Sequence, residues 1–412
     1  MRRIADEYGL AQAQEAGVPV VRYGPLAWDE VEPERMVPAS YRWEAVQDFE
    51  QDLMRAAQAG IDVMLFVHST PDWAQAIPGH SCGPIAEDSL DEFARFLQAA
   101  VARYSQPPFN VKYWELFNEP DVDPALVRPD SEFGCWGDQD DEYYGGKRFA
   151  RMLESVFPAI KEADAGVQVI LGGLLLDAPD TDAATFLAGV LEAGGGDYFD
   201  ILAFHAYTFY SPDFYNWSTL PGGKWNDRGG VVVGKATFMR QMLDSYGYEK
   251  PIILNEAGLA WFGKEKPSED YRQAQADYVV KLYARGLALE LGHISWYGWQ
   301  GPGWRHMGLL LNDLSPTPAY HAYVFAMQQL DRVEYLGPVD YPGTEGYTFR
   351  RNDGLLQVIW SADGTSYPVS VPSIRFLSAF DRLGQPVRHD LLPDGYLFDV
   401  HRPIYLLLAP EQ

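Results

Sequence analysis

The feature that most constrains the fold of this chain is a run at residues 111–120, which reads Val-Lys-Tyr-Trp-Glu-Leu-Phe-Asn-Glu-Pro. Its middle part is largely aromatic or aliphatic and so favours a β-strand, whereas Pro120 cannot continue a hydrogen-bonded ladder. Glu119 is therefore predicted to lie where a buried strand stops and a loop begins. In a parallel α/β barrel, catalytic side chains collect at that end of the strands.

A second run has the same design. Residues 251–258 read Pro-Ile-Ile-Leu-Asn-Glu-Ala-Gly, a short apolar strand that is closed by Asn255 and Glu256. Two strand-end glutamates in one parallel fold predict a pair of carboxylates that converge on one ligand.

Strand and helix patterns alternate along most of the chain. Seven strands are predicted, at 18–23, 61–67, 113–117, 167–172, 200–205, 251–256 and 293–299. Helices are predicted at 4–16, 44–59, 89–104, 146–163, 182–193, 232–246, 269–290 and 316–331. Spacings of roughly 30 to 55 residues between strands, without a Gly-rich phosphate loop, favour an α/β fold of the (β/α)8 barrel type over a doubly wound sheet.

The pattern changes from about residue 335, where short β-prone runs are separated by turns such as Asn352-Asp353-Gly354. We therefore predict two domains, a catalytic β/α barrel over 1–332 and a small antiparallel β-sandwich over 333–412.

The two glutamates suit the chemistry of glycosidic bond cleavage. That reaction needs a proton for a poor leaving group and stabilisation of a cationic anomeric carbon, which two carboxyl groups in different protonation states supply. If Glu119 and Glu256 lie about 5 Å apart, only one ionises easily near neutral pH, because like charges raise each other's proton affinity. The pattern therefore predicts that one glutamate serves first as acid and then as base.

Other candidate site residues lie at predicted strand ends or in the loops that follow them: Arg22, Trp28, His68, Asn118, His205, Tyr207 and Trp299. Arg22 and Tyr207 could donate hydrogen bonds to an ionised nucleophile, and the Asn118 amide could bind a sugar 2-hydroxyl. Structural alternatives remain open, namely an ion-pair partner for Arg22, a barrel-rim histidine for His205 and a surface or cap residue for Glu256.

The motif Trp-Glu-Leu-Phe-Asn-Glu-Pro at 114–120, with Asn-Glu-Ala-Gly at 255–258, resembles the clan of retaining β-glycosidases on a (β/α)8 barrel that contains families 5, 39, 42 and 51. The resemblance implies that Glu119 is the acid/base and Glu256 the nucleophile. It also implies supporting roles for Arg22, for His205-Ala206-Tyr207 and for a late tryptophan, Trp296 or Trp299. Thr-Pro-Asp-Trp-Ala at 70–74 and the terminal sandwich look most like family 39.

The strand count is one short of this clan's pattern. The clan places its acid/base after strand four and its nucleophile after strand seven, whereas Glu119 follows the third predicted strand and Glu256 the sixth. Because residues 4–16 already read as a helix, the first barrel strand is predicted to be missing from this chain. Either it lies upstream, or the barrel is open between its second and eighth strands.

The charge composition of the chain indicates which classes of partner it can bind. The net charge is −26, which would repel nucleic acid and anionic lipid, so we expect a neutral carbohydrate substrate and neither nucleic acid nor membrane as partner. No run reaches the roughly 20 apolar residues of a membrane span. We expect no cofactor and no metal. Two alternatives to a glycosidase remain open, a sugar-binding barrel without turnover and a metal-dependent barrel hydrolase that uses His68, His205 and the glutamates.

Aromatic residues reach 14% of the chain, more than a core needs. Those in the long loops 121–145 and 206–231 are predicted to line a cleft for several sugar units: Trp136, Tyr143, Tyr144, Phe209, Tyr210, Phe214, Tyr215, Trp217 and Trp225.

The only two cysteines, Cys82 and Cys135, fall in the loops after the second and third predicted strands. Neighbouring loops on one face can meet, so we predict that the two thiols approach each other, with two unrelated thiols as the alternative. A bond between them would favour an oxidising compartment, extracellular or periplasmic if a signal peptide lies upstream. Otherwise the cytoplasm is expected, because residues 1–7 lead into no apolar signal core.

Overall fold

The computed structural model describes residues 3–410 of the chain. These residues form two compact units. One comprises residues 3–206 and Lys235–Glu256, and the other comprises Tyr207–Gly234 and residues 257–410. The division into domains at residues 332 and 333 stays a prediction.

Seven strands lie in one sheet in chain order, and they are paired in parallel where their registers are defined. They are β1 (Val20–Ala27), β2 (Asp62–His68), β3 (Tyr113–Leu116), β4 (Gln168–Leu174), β5 (Ile201–Phe209), β6 (Ile252–Ala260) and β7 (Ile294–Trp296). All seven predicted strands are confirmed, and with them the barrel-type fold class. The boundaries differ, however, because β5 and β6 continue past the residues where polar side chains predicted that they would end.

Nine α-helices occur among the described residues, and most of them alternate with the strands. They are α1 (Leu10–Glu15), α2 (Trp28–Val31), α3 (Gln47–Ala59), α4 (Leu90–Tyr104), α5 (Gly146–Ala163), α6 (Thr185–Glu192), α7 (Val231–Ser245), α8 (Glu269–Ala288) and α9 (Pro318–Leu330). The helix predicted over 4–16 is shorter than expected. Gly9 has a φ of 87°, a left-handed conformation that separates α1 from a 3₁₀ turn at Asp6–Tyr8.

Apolar side chains from four parallel strands meet in one cluster of the first unit: Met64, Ile170, Ile201, Ala203 and Ile253. Their shared burial fixes which side of each strand faces inward, because side chains alternate along a strand. The inward positions that follow them can then carry polar groups toward a common point.

No strand precedes β1 within residues 3–410, so the parallel sheet has seven strands there and not eight. The predicted shortfall of one strand is therefore observed in the described part of the chain. Within the same residues, no helix is both long enough and apolar enough to cross a membrane.

The C-terminal region forms the predicted antiparallel sandwich. One sheet has the order β12-β15-β10-β9-β8 and the other β11-β14-β13. The strands are β8 (Glu334–Pro338), β9 (Thr344–Arg351), β10 (Gly354–Ser361), β11 (Tyr367–Pro372), β12 (Phe376–Asp381), β13 (Asp390–Leu392), β14 (Gly395–Val400) and β15 (Ile404–Leu408). Buried residues of both sheets, including Ile359, Val369, Phe398 and Leu406, form its core. The strands β8, β13 and β14 were not predicted.

The long loop after β3 folds back onto the segment that carries Glu119. Gly134 N–H donates to the Asn118 carbonyl at 2.8 Å, and Cys135 N–H donates to the Val122 carbonyl at 2.7 Å. Cys135 also forms a disulfide with Cys82, with their Cα atoms 5.5 Å apart, which confirms that the two cysteines meet. The bond therefore ties the loop after β2 to the loop that supports Glu119.

We predict that replacing both cysteines by serine lowers the free energy of unfolding by about 4 kcal/mol, because the bond closes a long loop in the unfolded chain. Denaturant titration of the variant and of the oxidised protein would measure this. The reduced wild-type protein should match the variant. Thiol titration of the denatured, non-reduced protein that finds two free thiols would contradict the bond.

Candidate active site

Glu119 lies three residues beyond the end of β3, in a strained turn. Phe117 and Glu119 have φ angles of 61° and 47°, a left-handed conformation that is uncommon for residues other than glycine. The turn is held by neighbouring strands, because Phe117 N–H donates to the Val67 carbonyl and Glu119 N–H to the Gly173 carbonyl, at 3.0 and 3.1 Å. The strand thus ends slightly earlier than predicted, and the turn directs the Glu119 side chain.

Two glycines of β4 give this turn its space. A Cβ on Gly172 would lie 2.4 Å from the Phe117 carbonyl oxygen, and a Cβ on Gly173 would lie 2.2 Å from Nε2 of His205. Any side chain at either position would displace the turn or the imidazole. Glycine at both positions therefore leaves space for the turn that carries Glu119 and for the His205 imidazole.

Glu115 is the buried centre of a hydrogen-bond network. Its side chain is 0% exposed, and it accepts bonds from Arg22 Nε at 2.6 Å and Arg22 Nη2 at 2.9 Å. It also accepts from the Gly173 N–H at 2.8 Å and from Asn255 Nδ2 at 3.0 Å. Burial alone would raise the pKa of Glu115, but Arg22 and the Gly173 N–H outweigh it, so the pKa lies below its usual range.

Arg22 extends this network to two candidate residues. Its Nη1 donates to Glu256 Oε1 at 2.5 Å, and its Nη2 also donates to Asn118 Oδ1 at 2.8 Å. The Asn118 amide donates in turn to the Glu132 carbonyl at 3.1 Å. The predicted contact between Arg22 and Glu256 is thus present, although both residues lie within strands and not at strand ends.

His205 brings the two glutamates together. Its Nδ1 lies 2.7 Å from Glu119 Oε1, within one hydrogen bond, and 3.6 Å from Glu256 Oε2. The nearest ligand atoms of Glu119, His205 and Glu256 all lie within 4.8 Å of one another. The sequence prediction that the two carboxylates converge agrees with this geometry.

The carboxyl groups of the pair occupy unequal environments. Burial raises the pKa of Glu119 to about 7, although Lys235 and Arg22 oppose the rise. Glu256 is more exposed, at 14% of its side chain against 10% for Glu119, and it carries the bond from Arg22. Burial also lowers the pKa of His205 to about 4, so the imidazole between them is neutral near pH 7. The arrangement can hold one proton on Glu119.

Three further charged residues near Glu119 were missed by the sequence analysis: Glu115, Asp121 and Lys235. Asp121 accepts the N–H groups of Leu175 and Leu176, both at 2.8 Å. Lys235 donates to the carbonyls of Leu175 and His205. For Glu115 in β3 and Lys235 in α7, the sequence does offer a signal, namely a charged residue inside an apolar stretch.

Two predicted supporting residues of the first unit are buried. Trp28 is 1% exposed, donates its indole N–H to Glu32 at 2.8 Å and packs against Phe93. His68 is the last residue of β2 and is 2% exposed, and burial lowers its pKa to about 4. Their roles stay predictions, and their burial favours support over direct contact with a substrate.

The other predicted residues belong to the second unit. Tyr207 packs edge-on against Tyr297 and Trp304. Trp296 ends β7 and donates its indole N–H to the Met307 carbonyl at 2.7 Å, whereas Trp299 packs against Tyr320. Roles for these residues in the site stay predictions.

The predicted aromatic cleft is wrong for four of its nine members. Trp136 is 0% exposed, and Tyr144, Trp217 and Trp225 are 4% exposed each. Trp136 packs against Phe117 and Phe149, so it supports the turn from below. Large aromatic residues in long loops can bury themselves in the loop's own core, which composition does not indicate.

Glu119, His205 and Glu256 could also offer one atom each to a metal ion. Two carboxylates and one imidazole are a donor set that divalent metals accept. In this site, however, Nδ1 of His205 already bonds Glu119, and the Arg22 guanidinium contacts Glu256. A cation would therefore face a fixed positive charge.

A barrel-type parallel sheet with a carboxylate pair of this geometry defines the chain as a glycosidase. The chain belongs to the cellulase family, glycosyl hydrolase family 5, whose model matches residues 2–301. The predicted resemblance to the clan that contains families 5 and 39 is confirmed. None of the curated proteins matches the sequence significantly.

Solved structures of other glycoside hydrolases share the fold. A family 39 enzyme from Bacteroides cellulosilyticus WH2 is 20% identical, with a TM-score of 0.74 over 99% of this chain and 79% of that one. The family 30 xylanase C of Talaromyces cellulolyticus is 14% identical, with a TM-score of 0.65 over 97% and 92%. A family 51 α-L-arabinofuranosidase of Bifidobacterium longum is 15% identical, with a TM-score of 0.60 over 97% and 89%.

We predict an alkaline limb in the pH profile of kcat/KM near pH 7. If Glu119 is the acid it must be protonated, so the rate falls as the pH rises through its pKa of about 7. Initial rates on an aryl glycoside between pH 4 and pH 10 would measure this. The limb should disappear from the residual activity of Glu119→Gln. A limb that persists in this variant would belong to another group.

Proposed function

We propose that the protein hydrolyses β-glycosidic bonds of an oligosaccharide or polysaccharide with retention of configuration. The observation that carries the proposal is the short separation of the two glutamates, whose nearest oxygens lie within 4.8 Å. Retaining glycosidases place their carboxyl groups about 5 Å apart, whereas inverting ones leave about 6.5–9.5 Å for a water. The spacing favours a covalent intermediate.

In the first step Glu256 is the nucleophile and Glu119 the acid. A Glu256 oxygen forms a bond to the anomeric carbon, the glycosidic C–O bond breaks, and the Glu119 proton passes to the leaving oxygen. Arg22 holds the attacking carboxylate by a charge-assisted hydrogen bond. The neutral His205 imidazole contacts Glu119 through Nδ1, which donates in the tautomer that carries the proton on Nδ1 and accepts in the other tautomer.

In the second step Glu119 acts as the base. Glu119 is already ionised, because its proton left with the leaving group in the first step, and it stays ionised because the Glu256 charge has been consumed in the glycosyl ester. Its carboxylate then takes a proton from water, the water oxygen attacks the anomeric carbon, and the ester bond to Glu256 breaks. Two inversions at one carbon give net retention.

The second unit contains a partly exposed aromatic cluster, formed by Tyr207, Phe209, Phe262, Tyr297 and Trp304. Phe209 packs against Phe262 and Trp304, with ring centroids 5.5 and 6.3 Å apart. Phe262 is 64% exposed and Trp304 43% exposed, which is unusual for side chains of this size. Flat exposed rings fit the apolar face of a pyranose. We propose that this cluster binds one sugar unit of an extended neutral substrate.

We predict that Glu119→Gln and Glu256→Gly each reduce turnover about 10³-fold or more, because each removes one carboxyl group of the pair. Azide should partly restore the Glu256→Gly variant and give a glycosyl azide of inverted configuration, identified by NMR. Glu132→Gln is the matched control, since Glu132 is exposed and only its main chain contacts Asn118.

An inverted azide product from a Glu119 variant would reverse the two roles. Chelator-insensitive hydrolysis of an aryl β-glycoside would exclude both alternatives, the metal-dependent hydrolase and the sugar-binding barrel without turnover. An inverted product from the wild-type enzyme would refute the double displacement.

We also predict that Trp304→Ala raises KM for an oligosaccharide about tenfold, which corresponds to the loss of about 1.4 kcal/mol of ring stacking. Hydrolysis of an aryl monosaccharide should change much less, because that substrate is too short to reach a further subsite. Leu391→Ala is the control, since Leu391 is also a large exposed apolar side chain, at 79%, and lies in β13 of the sandwich. Equal effects on the short and the long substrate would contradict a subsite at the cluster.

A further inference from the structure

Lys235 is a buried cation in α7. It is the first residue of this helix that belongs to the first unit. The residue is 4% exposed. Its Nζ donates to the carbonyl of Leu175 at 2.5 Å and to the carbonyl of His205 at 2.9 Å. The second contact places the ammonium group on the main chain of the residue whose imidazole bonds Glu119.

Asp121 binds main-chain N–H groups of the segment whose Leu175 carbonyl is bound by Lys235. The residue is 2% exposed, and its two oxygens accept the N–H groups of Leu175 and Leu176 at 2.8 Å. Leu176 has a φ of 46°, a left-handed conformation that such bonds stabilise. The end of β4 is thus fixed by a buried anion two residues after Glu119 and by a buried cation.

Neutral carbonyl groups do not balance a buried ammonium charge, which costs several kcal/mol to transfer from water unless an anion lies near it. The carboxyl groups that act on Lys235 are Asp121, Glu119 and Asp177. The charged groups that act on Glu119 are Lys235, Arg22 and Glu115. His205 is in direct contact with Glu119, and Asp121 lies close to it in sequence. Arg22 is already engaged by Glu115 and Glu256. Lys235 is the cation that acts on both Glu119 and Asp121.

We propose that Lys235 is a positioning residue of the acid/base, which fixes the main chain of His205 and supplies the positive charge that lets Glu119 release its proton in the first step of the reaction. This inference rests on the role proposed above for Glu119. Without that charge, a glutamate as buried as Glu119 would hold its proton too tightly to act as an acid and then as a base.

The electrostatics agree in direction. Burial is the main cause that raises the pKa of Glu119, and Lys235 is the strongest opposing influence. Burial lowers the pKa of Lys235 itself to about 8, against the effect of Asp121 and Glu119. Burial likewise raises the pKa of Asp121 to about 6. Near pH 7, Lys235 is still charged and Asp121 is mostly ionised.

The test is the pH profile of kcat/KM for Lys235→Met. Removing the cation raises the proton affinity of Glu119, so the alkaline limb should move upward by about one pH unit. Lys250→Met is the matched control, because Lys250 also donates to a main-chain carbonyl, that of Phe199 at 2.8 Å. This variant can lose stability but should keep the limb in place. A limb that stays in place in Lys235→Met would leave Lys235 a purely structural role and overturn the proposal.

Lys235→Gln provides a second reading if Lys235→Met does not fold. It keeps a side-chain N–H donor but removes the charge, so the limb should again move upward, and an unmoved limb would overturn the proposal. NMR titration of ¹³C-labelled glutamate, with Glu119 assigned by Glu119→Gln, measures the same shifts without turnover. The expected shifts in a protein that cleaves no glycoside would refute the proposed function, whereas turnover with unmoved shifts would refute the role of Lys235.

Discussion

The ion pair between Glu115 and Arg22 is the interaction on which the rest of the site depends. A carboxylate that is 0% exposed must be compensated inside the protein, and Arg22 does so with two donors. The guanidinium is planar and its donors have fixed directions, so satisfying Glu115 also determines where Asn118 and Glu256 are held. Removing Arg22 would leave the buried charge of Glu115 unpaired, at a cost of about 3–5 kcal/mol. The network therefore holds Glu256 of β6 through Arg22 of β1, a strand five positions away in the strand order.

Much of the fold followed from local pattern. Apolar strands and amphipathic helices of the right length alternate so regularly that each of the seven parallel strands was predictable. The convergence of Glu119 and Glu256 was predictable as well. The strand ends were less predictable. Polar residues such as His205 and Glu256 suggested a stop, but they lie in strands that continue, because an inward position can be polar once it reaches the site.

The missed residues share a physical reason. Glu115, Asp121 and Lys235 are buried charges whose partners lie far away along the chain, such as Arg22 for Glu115 and the Leu175 peptide for Asp121. The sequence pattern shows the hydrophobic periodicity of a single helix or strand. It does not show which helices and strands contact each other. The same limit explains Trp136, an aromatic residue in a polar loop that packs beneath the turn instead of lining a cleft.

The family match and the fold comparison emphasise different members of one clan. The sequence model is that of family 5, whereas the family 39 enzyme superposes over 99% of the chain. Both are consistent with one site, because the carboxylate pair depends on β3, β5 and β6 of the sheet and not on the loops that distinguish substrates. A shared fold does not specify a substrate, since the similar structures include both a xylanase and an arabinofuranosidase. The strands that carry the pair therefore do not specify the sugar or the linkage, which must depend on residues outside the pair.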